Sequence, residues 1–195
     1  MIGAIFTSLI DLGAISHSRC VTTRYVGCIA WSHVIIYQSL QRQPWGACDF
    51  ALVKGLEGIF LANEYLTEGD GPDAPVSSER VTKISFDLGG EWTRLSGPMD
   101  DACAKNKNCW LNLQGITTSY SGRFYSEPTA IGILLGTGNI GRALTDRTDL
   151  LNTYLSRDAG WTWQLFRNGS HQYDITNHGG IVLLIDDVAP ARSFM

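Results

Sequence analysis

Chemistry in this chain would have to come from a small set of polar groups. Two aspartates, Asp87 and Asp158, recur in the pattern Ser-x-Asp-x-Gly-x-x-Trp at residues 85–92 and 156–163. Carboxylates do acid–base work on a glycosidic bond only when a partner acid stands at a fixed separation. No partner acid recurs at a constant place beside these two. In this pattern a short carboxylate closes an Asx-type turn, accepting hydrogen bonds from backbone N–H groups two residues on, while Gly89 and Gly160 take the positive φ such a turn needs. Ser85 and Ser156 add a hydroxyl bond. Trp92 and Trp163 return on the next strand and cover apolar surface beneath the turn. Both copies therefore read as structural staples, and no catalytic residue is assigned.

The remaining reactive groups are weaker leads. Cys103 and Cys109 are spaced to close a small disulfide loop more naturally than to build a zinc site, since no second Cys or His pair stands nearby; free thiols remain the alternative. Cys20, Cys28 and Cys48 carry no recognisable spacing. With five cysteines in all, a secretory chain would leave at least one free or paired outside it. His17, His33, His171 and His178 share no metal or triad spacing and read as surface or turn residues. No Gly-x-Ser-x-Gly elbow is present. Asn168-Gly169-Ser170 is a glycosylation acceptor sequence, compatible with a lumenal location. Lys105 and Lys107 make a small basic spot that reads as a solvated loop.

The elements that position these groups show themselves as a repeat. Residues 82–92 and 153–163 align without a gap and share Thr, an aliphatic residue, Ser, Asp, Gly and Trp at one constant offset. An apolar run bounded by glycine precedes each copy, at 58–62 and 132–136, and a third stands at 180–185. Each run is too short for a helix and reads as a buried strand. The unit is thus a buried strand, a loop, a further strand and a hairpin at the Ser-x-Asp turn, which is how a propeller blade is written. Residues 67–78 are polar and turn-forming and read as a long surface loop, and 97–115 read as another loop insertion. From 15 to 45 no repeat is visible.

That repeat also disposes of a decoy. Gly136, Gly138 and Gly141 form a G-x-G-x-x-G after an apolar strand, with Asp158 further on, as a dinucleotide site requires. The acid, however, belongs to a Ser-x-Asp turn, no second βαβ unit follows, and the same strand before the other repeat lacks the glycines. The glycines read as a loop at a blade edge, and no cofactor is expected.

Composition narrows the classes further. The 195 residues are 44% apolar and 17% charged, which excludes a disordered tail. A net charge of -4 lacks the basic excess of a nucleic-acid-binding domain. No apolar run approaches the length of a membrane span, and the apolar start at 1–10 lacks the basic region of a signal peptide.

The pattern Ser-x-Asp-x-Gly-x-Thr-Trp, which 156–163 fits in full, is similar to the Asp-box (BNR) repeats of sialidase-like and sortilin-like propellers. The flanking stretches 55–63, 104–109, 126–132 and 138–141 resemble, in order, segments of the Vps10 domain of the sortilin family, and the likeness covers about 49–190. Residues 3–8 resemble the strand entering a preceding blade, 8–13 a degenerate Asp box and 37–40 the strand after it. The resemblance implies an all-β fold, a partial β-propeller of about three blades from a ten-bladed domain. Its expected organisation is a degenerate blade with an unmatched insertion at 1–45 and Vps10-type blades at 46–195. It further implies binding of peptide or protein cargo, with no nucleic acid, in a receptor sorting between Golgi and endosomes or vacuole. Such a receptor faces the lumen or cell surface as a type I membrane protein, with its targeting segment and span outside this chain, which stops where a further Asp-box hairpin is due. The competing expectation, a sialidase-like glycosidase, needs an arginine cluster and a Tyr/Glu nucleophile pair, and the sequence offers no anchor for either.

Overall fold

A computed structural model describes residues 20–24, 33–37, 49–67, 76–98, 109–115 and 123–187. Its regular structure is almost wholly β. The first meander runs β3 (Phe50–Leu52), β4 (Phe60–Thr67), β5 (Val76–Ser85) and β6 (Thr93–Ser96), each strand antiparallel to the next. It is preceded by a separate hairpin, β1 (Cys20–Arg24) with β2 (His33–Tyr37), paired at all five positions within the stretch where the sequence shows no repeat.

A second meander repeats the plan. Its central strand β9 (Leu134–Gly141) pairs on one side with β10 (Asn152–Ser156), which pairs in turn with β11 (Gln164–Asn168). On the other side, β7 (Trp110–Leu113) lies against residues 138–141 and β8 (Tyr125–Ser126) against 134–135. The two short strands therefore stand in line as one interrupted first strand. The pairs Leu95↔Leu111 and Ser96↔Trp110 join the meanders into a single curled sheet. β12 (His171–Thr176) and β13 (Ile181–Asp186) then open a third unit as a hairpin. The chain is all-β, a partial propeller.

The apolar runs explain where the core sits. Successive side chains of a strand point to opposite faces, so a blade buried on both faces carries an unbroken apolar run rather than an alternation. Leu134 faces the first blade, in one cluster with Leu61, Ile84, Leu111 and Leu113. Its neighbour Leu135 faces the third unit, with Leu155, Ala130 and Ile175. Each such leucine, all but inaccessible to water, contributes about 1.5–3 kcal/mol.

Three readings of the sequence require correction. The glycine fingerprint at 136–141 is not a loop: it lies within β9, the central strand of the second blade. Close backbone approach explains the glycines, since a Cβ on Gly138 would sit 1.9 Å from the Asn112 carbonyl oxygen and one on Gly136 would meet the Leu113 side chain at 2.9 Å. The stretch 97–115 is not wholly an insertion, because β7 within it supplies half of the second blade's first strand. The third apolar run forms a strand as expected, but not a buried one: Ile181, Leu183 and Ile185 are each about half exposed. The stretches resembling earlier blade segments at 3–8 and 8–13, and Cys28, Cys48, Cys103, Lys105 and Lys107, lie outside the described residues.

The glycine contacts rank two substitutions. Gly138→Ala must part β7 from β9 and is expected to cost about 3 kcal/mol or more, whereas Gly136→Ala, meeting only a movable leucine, costs about 1 kcal/mol. Urea midpoints of the two variants check the order.

Candidate functional site: Asp-box turns, seams and first strands

Both Asp boxes fold identically. The Ser85 hydroxyl donates to Asp87 Oδ1 at 2.8 Å and accepts from the backbone N–H of Gly89 at 2.8 Å and of Asp87 at 3.4 Å. The Asp87 carboxylate accepts from the N–H of Glu91 at 2.9 and 3.0 Å, and the Trp92 indole N–H donates to the Gly89 carbonyl at 3.0 Å. In the second copy Ser156 accepts from Gly160 N–H at 2.8 Å and from Asp158 N–H at 3.4 Å, and Asp158 accepts from Thr162 N–H at 2.8 Å and from the Thr162 hydroxyl. Trp163 again donates to the carbonyl three residues back, that of Gly160, at 3.0 Å.

This geometry amends the expected turn. The N–H two residues on is taken by the serine hydroxyl, and the aspartate reaches four residues on. Gly89 and Gly160 have the expected positive φ, at 91° and 93°. The residue before each, Leu88 at 67° and Ala159 at 62°, is also left-handed. A non-glycine residue holds that conformation at a cost. Here it aims the Leu88 and Ala159 N–H groups at the Gly58 and Gly132 carbonyls, both at 2.9 Å, tying each turn to the start of its own blade's second strand.

Electrostatics follow from these bonds. The Glu91 N–H, then the Ser85 hydroxyl, hold the Asp87 carboxyl below its ordinary range. For Asp158 burial is the largest single influence and pushes upward, but the Thr162 hydroxyl and N–H and the Ser156 hydroxyl together outweigh it. Trp163 is buried and Trp92 half-buried, so the second staple is the better covered.

The seam between blades holds a buried polar cluster. Asn63 donates to Asp49 Oδ2 at 3.1 Å and to the Leu113 carbonyl at 3.0 Å, and accepts from the Thr82 hydroxyl at 2.6 Å. Thr82 in turn accepts from the Leu113 N–H at 2.7 Å. The next seam repeats the plan with other residues. Thr153, the repeat mate of Thr82, donates to the Gly169 carbonyl at 3.0 Å and lies 3.0 Å from His171 Nδ1, which is itself 3.1 Å from that carbonyl. His171 is 92% buried, because its relative exposure is 8%. The expectation of a surface or turn histidine fails for it, since its strand is the first of the next blade and packs into the seam. His178 does sit exposed, in the turn at 177–179.

One polar row escaped the sequence reading. Lys54, Tyr125 and Asp174 lie on or just after the first strands of three successive blades. The Tyr125 hydroxyl donates to Asp174 Oδ1 at 2.7 Å, with Glu127 Oε2 at 3.4 Å, and the Lys54 ammonium stands 5.8 Å from the Tyr125 ring centre. The bond to Asp174, then burial, push the Tyr125 phenol up to about 12. No motif links residues so far apart in sequence. The periodicity of first strands was the only signal that could have found them.

Cys109 is disulfide-bonded, and Asn168 is exposed at the end of β11. Among the described residues no group of three or more His, Cys, Asp or Glu converges on a metal position.

The chain matches the family described as sortilin, neurotensin receptor 3, over residues 31–194. It is 31% identical over 174 residues to a vacuolar protein sorting/targeting protein 10 of Paracoccidioides brasiliensis, covering 83% of this chain and 12% of that protein. Proteins of the same name from Blastomyces gilchristii and Kluyveromyces lactis are 31% and 32% identical, covering 84% and 82% of this chain. The chain spans about 12% of the length of these relatives, or 11% for the last.

The lowered carboxyls fix the sign of an acid response. A depressed folded-state pKa contributes stability that is complete above the ordinary value near 3.8 and is lost as pH falls through the folded value. Melting temperature is therefore expected to drop below about pH 4. Asp87→Asn with Asp158→Asn should lower stability at pH 6 by about 1 kcal/mol per turn, by analogy with a lost capping bond, and flatten the acid limb. Thermal melts between pH 2 and 6 check both effects.

Proposed function

Because the chain belongs to the Sortilin-Vps10 family, we propose that it forms part of the cargo-binding propeller of a receptor that sorts proteins between Golgi and endosomes or vacuole. The blades would face the lumen or the cell surface, held to the membrane by other parts of a type I protein. Residues 46–195 would be the propeller segment. A Cys103–Cys109 bridge would close the loop before β7, and the exposed Asn168 would carry a glycan.

The observation that carries this reading is the row Lys54, Tyr125 and Asp174. First strands of propeller blades line the central channel. A peptide in that channel would meet an ammonium, a phenol and a carboxylate supplied by three blades, which is the mixed polar lining that orients an extended ligand. Asp87 and Asp158 take no part, since their oxygens are engaged by their own turns.

The glycosidase alternative does find a Tyr/Glu pair here, Tyr125 and Glu127. Its chemistry runs the wrong way for a nucleophile: the phenol keeps its proton and donates it in a hydrogen bond to Asp174, and its pKa is raised, whereas a phenolate nucleophile needs it lowered. Peptide binding without hydrolysis is accordingly the expected activity.

Peptides selected from a random library against the chain test this reading. Asp174→Asn and Lys54→Ala should each weaken the selected peptides by roughly tenfold while leaving the thermal melt in place. Release of the fluorophore from a fluorogenic sialoside by the purified chain, or unchanged affinity in both variants, would overturn it.

A further inference from the structure

The two Asp boxes serve as internal controls for each other. Their second position is Phe86 in one copy and Arg157 in the other, and their sixth is Gly90 in one and Trp161 in the other. Every staple bond forms in both copies regardless of these residues, so the turn does not require an aromatic side chain at either place. Yet Trp161 is 70% and Phe86 37% exposed, and the two rings meet across the seam with centres 5.2 Å apart at a tilt of 57°. Two exposed rings in contact, continuous with an apolar cleft, make the kind of contiguous patch that marks an interaction surface.

These rings form one wall of an open cleft of about 530 Å³, whose other walls include Ile84, Leu95, Trp110 and Arg94. Arg94 is the unusual member. Arg80, Lys83, Arg142 and Arg147 each hold a carboxylate. Among the described residues none pairs with Arg94, whose acceptors are neutral: Asn112 Oδ1 at 3.4 Å and the Arg142 carbonyl. Its Nε is buried with no acceptor, and its guanidinium carbon stands 5.0 Å from the centre of the Trp110 ring. Burial, then the like charge of Arg142, lower its pKa, with Glu64 opposing. A half-buried cation that no carboxylate of the described residues reaches within ion-pair distance opens on an apolar cleft.

We propose that this cleft, between adjacent Asp-box turns, binds an acidic peptide segment in which a carboxylate stands beside an aromatic or aliphatic side chain. The carboxylate pairs with Arg94 and replaces its long contact to Asn112. The apolar side chain enters between Phe86 and Trp161. Among the described residues that line the cleft Arg94 alone is cationic, which suits one carboxylate better than a polyanionic sugar, and the neighbouring Arg142 is already held by Glu79. The site is distinct from the first-strand row and is tested separately from it.

Titration of the 15N-labelled chain with Ac-Phe-Glu-NH2, with neutral Ac-Phe-Gln-NH2 and with a sulfated disaccharide, followed at the indole N–H signals, gives the test. The acidic dipeptide is expected to move the Trp161 and Trp110 signals, to leave Trp163 in place, and to bind about tenfold more tightly than the neutral one. Arg94→Gln should erase that preference. Trp161→Gly, which places in the second turn the residue type that the first turn already carries there, should weaken both dipeptides while the Trp163 signal stays in its folded position. Equal affinity of the two dipeptides, a preference unchanged in Arg94→Gln, stronger binding of the sulfated disaccharide at the same indoles, or no shift at all would each overturn the proposal. Failure of the channel reading would appear instead in the Asp174→Asn and Lys54→Ala variants.

Discussion

The hydrogen bond from the Leu113 N–H to the Thr82 hydroxyl, 2.7 Å long and fully buried, is the contact on which the blade arrangement turns. A sheet buried on both faces excludes water from the polar groups where one blade meets the next, and an unpaired group there costs about 1–3 kcal/mol. Thr82 solves this by accepting from the backbone of the following blade while donating to Asn63, which itself bonds Asp49 and the Leu113 carbonyl. The cluster is satisfied only at one blade-to-blade position. It therefore sets register, and the surrounding leucines supply the area that stabilises it.

The repetition of this device is as informative as its presence. Thr153 occupies the same place in the second blade, but its partner is the imidazole of His171 rather than a backbone N–H. The seams are equivalent in position and different in chemistry, as expected when a repeat keeps geometry and lets the partner vary. The Asp boxes behave in the opposite way. Their bonds are the same to within about 0.1 Å for the serine and tryptophan contacts, and the side chains of Phe86 against Arg157 and of Gly90 against Trp161, which differ most, make none of them. Rigid turns thus hold variable side chains at the seam, where Phe86 and Trp161 meet.

Much of the fold was legible because it is written locally. Staple, glycine and tryptophan lie within eight residues, so one short string carries the turn. The apolar runs before each copy announce strands buried on both faces. What misled was also local: Gly136, Gly138 and Gly141 look like loop glycines in one dimension, and only the approach of the Asn112 carbonyl to Gly138 reveals a strand packed too closely for a side chain. His171 looked like an unremarkable histidine because its environment comes from Thr153 and Gly169, and the seam that buries it is visible only in three dimensions.

The sequence by itself determined the repeat, its staples and the family likeness, since each depends on residues near one another along the chain or in a fixed order. Tertiary structure alone decided which distant groups meet. Lys54, Tyr125 and Asp174 converge because first strands of successive blades stand side by side, and among the described residues the acids nearest Arg94 pair with other cations, Glu64 with Lys83 and Glu79 with Arg142. Such meetings depend on the packing angle and register between blades, set by buried area and the seam hydrogen bonds, and no spacing along the chain encodes them.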